Sequence, residues 1–249
     1  MAADDGSSLR AAARITGWAL LGMALAAISA NDLTIRRLVV DGDAETTVRN
    51  IVASETLFRL GVVSWLAILV ADVVAAFGLY LFMQPVNGRL ALLMAWTRLA
   101  YVAMLGAAID NLVHVALRIG SRVSSATALT DAAPEIMHAL AAFDQTWSLG
   151  LVVFGVHVLL LGVLILKSNY VPRGFGIVLL IAAVGYAVTH LTGFMLPRDK
   201  ELFRALGWIF IGPMLGEVAL GIWLLFKGGR VKIELDGDAW RSDDPSSPL

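Results

Sequence analysis

The chain has 249 residues, of which 58% are hydrophobic and only 16% charged, with a mean hydropathy of +0.77. Soluble domains carry about 25% charged residues, so the composition excludes an ordinary soluble domain and points to a polytopic membrane protein. A net charge of −1, from 19 basic and 20 acidic residues, gives no basis for a nucleic-acid partner, and the lack of cysteine excludes disulfides, thiolate metal sites and thiol catalysis.

Residues 1–13 are small and polar and read as a disordered tail without the basic segment of a cleaved signal peptide. A first membrane helix is expected over about 14–33, with Gly17 and Gly22 on a small-residue face suited to close packing. The polar stretch 34–54 reads as a turn or an interfacial helix. A second helix is expected over Thr56–Met83, with Asp72 inside, and Gln84-Pro85-Val86-Asn87-Gly88 reads as a turn. The third, Arg89–Arg118, is the most polar, carrying Arg98, Asp110, Asn111 and His114. Residues 119–143 are rich in Ser, Thr and Ala and suggest a loop followed by a short amphipathic helix.

The fourth helix, Trp147–Leu166, holds one ionisable group, His157, near its middle. Twenty residues at 1.5 Å each span about 30 Å, the thickness of the hydrocarbon layer. A short turn at Lys167–Pro172 leads to a fifth helix ending near Leu196, with His190 towards its far end. After a charged loop, a sixth helix covers about 205–226, with Pro213 expected to kink it and Glu217 inside. Residues 229–249 read as a second disordered tail. The fold expected is therefore an all-α bundle of six transmembrane helices over 14–228, with both termini on one side. Lys and Arg divide nine to eight between the two sides, which decides nothing. The basic groups hugging helix ends at Lys167/Arg173 and Lys227–Lys232 favour a cytoplasmic location for the termini.

Depth carries more information than any motif. Counted from the terminal-side end of its own helix, Asp72 lies 11 residues in, Arg98 nine, His157 ten and Glu217 ten. All four therefore sit roughly 14–16 Å deep, near the bilayer midplane. A charge facing lipid there costs at least about 2.5–3.5 kcal/mol, so each should turn inward and find a partner. One buried network of Asp72, Arg98, His157 and Glu217 satisfies that demand. Arg98 can hold one carboxylate bidentately, which leaves the other with His157, either as a carboxylate–imidazolium pair or as a neutral acid with a neutral imidazole. A weaker constellation, Asp110 and His114 at i,i+4 with His190 at a similar level, offers ligands for a metal such as zinc.

Several ordered segments carry a resemblance: Ala53-Ser-Glu-Thr-Leu-Phe-Arg59, Asp72, Pro85-Val-Asn, Arg98-Leu, Phe154-Gly-Val-His157, Lys167-Ser-Asn-Tyr-Val-Pro-Arg-Gly-Phe-Gly and Gly216-Glu217-Val-Ala-Leu-Gly. Together, over roughly 14–228, they resemble the bacterial multi-pass membrane family catalogued as domain of unknown function 4386. The resemblance implies a six-helix protein of the bacterial cell membrane with no established activity. Its pattern includes the positions of Asp72, Arg98, His157 and Glu217, but not the Asp110/His114 pair. Where the family often has a His-Gly-Tyr-Gly-like run before the fourth helix, this chain has Phe143-Asp-Gln-Thr-Trp147.

Three functional readings stay open. The network could bind or transport a small molecule or a proton; the chain could be an intramembrane metal-dependent hydrolase; or it could be a non-catalytic membrane subunit whose polar cluster is structural. A bis-histidine haem is a fourth. The sequence assigns no catalytic residue and no cofactor. Beyond the lipid bilayer, the partners it allows are a small-molecule ligand and a second copy of the chain.

Overall fold

A computed structural model describes residues 2–122, 126–196 and 199–230. It is helical throughout, and among the described residues six segments are long and apolar enough to cross a membrane: Leu9–Leu38, Glu55–Met83, Gly88–Ile119, Asp131–Lys167, Arg173–Met195 and Glu201–Phe226.

The first span begins as α1 (Ala2–Ala27), continues without a break as a π-helix (Ile28–Ile35) and ends in one turn, α2 (Arg36–Leu38). Residues 2–13, expected to form a tail, thus extend the first helix. The polar stretch that follows folds outside the span as α3 (Ala44–Ala53). Its start is set by Asp43, whose Oδ1 accepts from the Thr46 backbone N–H at 2.9 Å and whose Oδ2 accepts from the Thr46 hydroxyl at 2.7 Å. That backbone bond to Thr46 is the main reason the Asp43 carboxyl titrates below its ordinary value. Val48 and Ile51 on the inner face of α3 are fully buried, and the helix packs on the fourth span.

The second and third spans are α4 (Glu55–Met83) and α5 (Gly88–Arg122), joined by the expected turn. The fourth is α6 (Ala126–Lys167), 42 residues without interruption and with Pro134 inside it. This corrects the expectation of a loop and a short separate helix over 119–143. At 1.5 Å per residue α6 is about 63 Å long, roughly twice the hydrocarbon thickness, so α5 and α6 continue as a helical hairpin beyond the bilayer. Glu135 fastens the two arms there, accepting from Arg118 Nε at 2.9 Å and lying 3.0 Å from His114 Nε2. Those cross-helix bonds outweigh the low helix preference of the Ser- and Thr-rich sequence.

The fifth span is α7 (Arg173–Met195), and the sixth is divided into α8 (Lys200–Met214) and α9 (Gly216–Phe226). The sixth span therefore begins ahead of residue 205. The break falls at Leu215, two residues past Pro213. A proline lacks the N–H that would continue the ladder, and Leu215 closes the turn by donating to both Ile211 and Gly212 at 3.1 Å.

Each span packs against its neighbours in sequence, and α9 returns to pack on α1. The six spans thus form a closed ring. The ring is tight where glycines meet backbone. A Cβ on Gly162 of α6 would stand 3.1 Å from the Gly176 carbonyl oxygen of α7, and one on Gly17 of α1 would stand 2.9 Å from the Gly221 carbonyl oxygen of α9. Gly22 faces open space instead, so the small-residue face expected on the first helix is narrower than its sequence suggests. The outside of the ring is apolar, with Trp18, Phe77, Trp96 and Phe226 exposed, as a lipid-facing surface requires.

Candidate functional site

Inside the ring, midway along it, α4, α5, α6 and α9 contribute Asp72, Arg98, His157 and Glu217 to one cluster. Asp72 is 2% exposed, Arg98 1% and His157 0%, while the Glu217 side chain is 13% exposed. The depth argument placed these four at one level, and the structure brings them into contact.

Arg98 is the hub. Its Nε donates to Asp72 Oδ1 at 2.9 Å, and Nη2 lies 2.7 Å from the same oxygen. Nη1 donates to Glu217 Oε1 at 2.9 Å and lies 2.9 Å from His157 Nε2. Nη2 also reaches Met23 Sδ of α1 at 3.9 Å, and the guanidinium sits 5.2 Å from the centre of the Phe154 ring. Every guanidinium nitrogen therefore has a partner. This corrects the expected pairing: Arg98 serves both carboxylates rather than one bidentately, and Glu217 Oε1 is nearer to Arg98 than to His157 Nε2, which is 3.5 Å away.

The geometry also assigns the histidine. His157 Nδ1 lies 2.9 Å from the Met94 carbonyl oxygen, which can only accept, so Nδ1 carries a hydrogen. Nε2 faces a guanidinium nitrogen, which can only donate, so Nε2 is the acceptor. The imidazole is neutral. Arg98 is the one fixed positive charge of the cluster, and two carboxyl groups share it.

A cavity of about 210 Å³ adjoins the cluster, with Asp72, Arg98 and Glu217 in its wall. The rest of the wall combines aromatic side chains (Trp65, Tyr101, Trp147, Phe154 and Tyr186) with aliphatic ones and Asn31. Among the described residues, neither Asp72 Oδ2 nor Glu217 Oε2 accepts a hydrogen bond from the protein. Two donors are also unused. Trp65 Nε1 is buried without a partner, and Trp147 Nε1, near the Tyr101 hydroxyl, completes no hydrogen bond. Buried polar groups are almost always bonded, so open donors and acceptors around one cavity are what a polar ligand would satisfy.

The sequence reading missed these walls. The signal was helical spacing from the charged residues: Trp65 is seven before Asp72, Tyr101 three after Arg98, and Phe154 three before His157. Such offsets put each aromatic on the face of its helix that bears the charge.

The second constellation does not assemble. Asp110 is exposed, His114 pairs with Glu135 on the projecting hairpin, and His190 lies inside the ring with its Nδ1 2.8 Å from Ser148 Oγ. Among the described residues no group of three His, Asp or Glu side chains is placed to hold a metal ion. The reason is that the i,i+4 pairing of Asp110 and His114 fixes only their own helix face. It says nothing of where α7 presents His190. Beside His190, a second cavity of about 520 Å³ opens near Asp144, Ser148 and Phe203.

A protein of Archaeoglobus fulgidus described as an uncharacterized protein is 29% identical over 167 residues, covering 66% of this chain and 81% of the relative. No solved structure matches the chain. The profile of the family described as Domain of unknown function (DUF4386) matches residues 15–228, and the chain belongs to that family.

Proposed function

We propose that the protein is a small-molecule-binding protein of the cell membrane, with its termini in the cytoplasm and its ligand held at the centre of the helix ring. One observation carries the reading. The cavity beside the charge network is lined by Asp72 and Glu217, whose Oδ2 and Oε2 accept no hydrogen bond from the described residues, and by Trp65, whose buried Nε1 has no partner. A cluster that served only to fix helix packing would gain by closing such positions, because a buried polar group left unsatisfied, as Trp65 Nε1 is, costs about 1–3 kcal/mol. Ionisable groups at this depth are costly in a membrane, and substrate pathways and proton relays are among the functions for which they are kept.

Native mass spectrometry of the protein released from detergent tests the reading. A small molecule retained in stoichiometric amount by the wild type, and lost from Trp65→Phe and Asp72→Asn variants that elute normally on gel filtration, is the expected result. Wild-type protein that carries nothing and takes up nothing from a lipid-free cell extract overturns it.

A further inference from the structure

A separate basic site lies on the side of the ring that holds the termini, where α9 returns to α1. We propose that this seam binds the headgroup of an anionic phospholipid, with the phosphate on Arg14 and Arg230 and an acyl chain against Leu225 and Phe226. The inference is independent of the midplane cavity.

Depth, packing and charge each point there. Met23 of α1 reaches Arg98 at the midplane, and Arg14 and Arg10 precede it by nine and thirteen residues, about 14 and 20 Å along the helix. Phe226 is nine residues past Glu217 on α9, again about 14 Å, and one 3₁₀ turn, Gly228–Arg230, follows it. Half the hydrocarbon thickness is about 15 Å, so all of these residues fall at the headgroup boundary. Close packing joins the two ends of the chain at this level. A Cβ on Gly17 would stand 2.6 Å from Leu225 Cγ, and one on Gly228 would stand 3.0 Å from Ala13 Cβ. Arg230 is thereby brought to Arg10 and Arg14, and the three line one cavity of about 460 Å³ with Leu225 and Phe226. No acidic residue lines that cavity, and Arg14 and Arg230 make no side-chain hydrogen bond or ion pair with the described residues. Guanidinium groups keep their charge, and like charges gathered from two helices repel until an anion joins them. A phosphate matches the guanidinium fork, and basic pockets between transmembrane helices are where anionic headgroups are held. Phe226, 70% exposed, adds an apolar surface that suits a lipid chain and that a free phosphate would not use.

The test titrates the purified full-length protein in detergent with dioleoylphosphatidylglycerol and reads the first bound lipid by native mass spectrometry. Dioleoylphosphatidylcholine has the same chains without net charge, and glycerol 3-phosphate has the phosphate without chains. Phosphatidylglycerol should bind roughly tenfold or more tightly than phosphatidylcholine, and glycerol 3-phosphate at equal concentration should not displace it. Arg14→Gln and Arg230→Gln alter exposed side chains, and each should weaken phosphatidylglycerol binding roughly fivefold. Arg89→Gln is the control, since Arg89 is exposed on the same side of the ring and does not line the cavity; it should leave the preference unchanged. Equal binding of the two lipids overturns the inference. So does an equal loss in Arg89→Gln protein, which would reduce the preference to the general charge of that side. Displacement by glycerol 3-phosphate also overturns the lipid assignment and makes the cavity a site for a soluble phosphate ester.

Discussion

His157 Nδ1 hydrogen-bonds the backbone carbonyl of Met94, which lies one helical turn before Arg98 on the same helix. One imidazole therefore touches both the backbone that carries the guanidinium and, through Nε2, the guanidinium itself. The arrangement holds the ring in the tautomer with hydrogen on Nδ1 and keeps the Nε2 lone pair committed. In protein labelled with ¹⁵N at histidine, Nδ1 should appear as the protonated, pyrrole-like nitrogen and Nε2 as pyridine-like at neutral pH. Two equivalent protonated nitrogens would show an imidazolium and overturn this assignment.

Arg98 answers to two carboxylates, a histidine and a thioether, so its loss should be among the most damaging substitutions in the chain. Arg98→Leu leaves Asp72 and Glu217 facing each other without a counter-charge. A cost of about 3–5 kcal/mol is expected, as for other buried ion pairs broken from one side. Thermal denaturation in detergent checks the size. Adding Asp72→Asn and Glu217→Gln to Arg98→Leu should recover a large part of the loss, because the triple change removes the charges with their partner. Arg98→Lys should fall between, since an ammonium has three donors and no planar fork.

Gly176 tests the ring rather than the site. Any Cβ there would meet Leu166 at 2.8 Å and the Gly162 carbonyl oxygen at 3.0 Å, and the carbonyl cannot move aside. Gly176→Val should lower stability by about 1–3 kcal/mol, the range for overpacked interiors. Gly22→Ala is the control. Nothing lies within 4 Å of its Cβ position, so it should be neutral or slightly stabilising through helix preference. Equal losses from both would mean that the α6–α7 crossing is looser than its geometry.

Orientation is open to a direct experiment because the chain has no cysteine to remove. With cytoplasmic termini, a cysteine at Asp41 should react with a membrane-impermeant maleimide on intact cells. One at Asn87 should react only after permeabilisation. The opposite pattern would invert the protein in the membrane and leave the ring unchanged.

Much of this architecture was legible before any coordinates. The four charged residues could be matched in depth because depth depends only on rise per residue and on the cost of a charge in lipid. Neither requires knowledge of how the helices turn. The cavity walls were not legible for the complementary reason. Trp65 and Phe154 on an apolar helix look the same whether they face lipid or the interior, and rotation about the helix axis is set by packing. The extension of α6 back to Ala126 was hidden by composition. Ser, Thr and Pro134 suggest a loop, and only the bonds from His114 and Arg118 to Glu135 show what holds the segment as a helix. The division of charge between Arg98, Glu217 and His157 was misjudged because sequence gives the members of a cluster but not their order of contact.

The π-helical run Ile28–Ile35 has a consequence for how the first span has been assembled. A π turn is an α-helix with an extra residue accommodated. Before it, Met23 reaches Arg98; within it, Ser29 Oγ meets Ser64 Oγ at 3.1 Å and Thr34 packs against Gly61. Deleting one residue from the run would restore α-helical winding and turn one of those contacts away by roughly 100°. The span thus works as two helices of different phase spliced end to end. Each is free to drift in length without disturbing the other's registration, and single-residue gaps among relatives should gather in that splice.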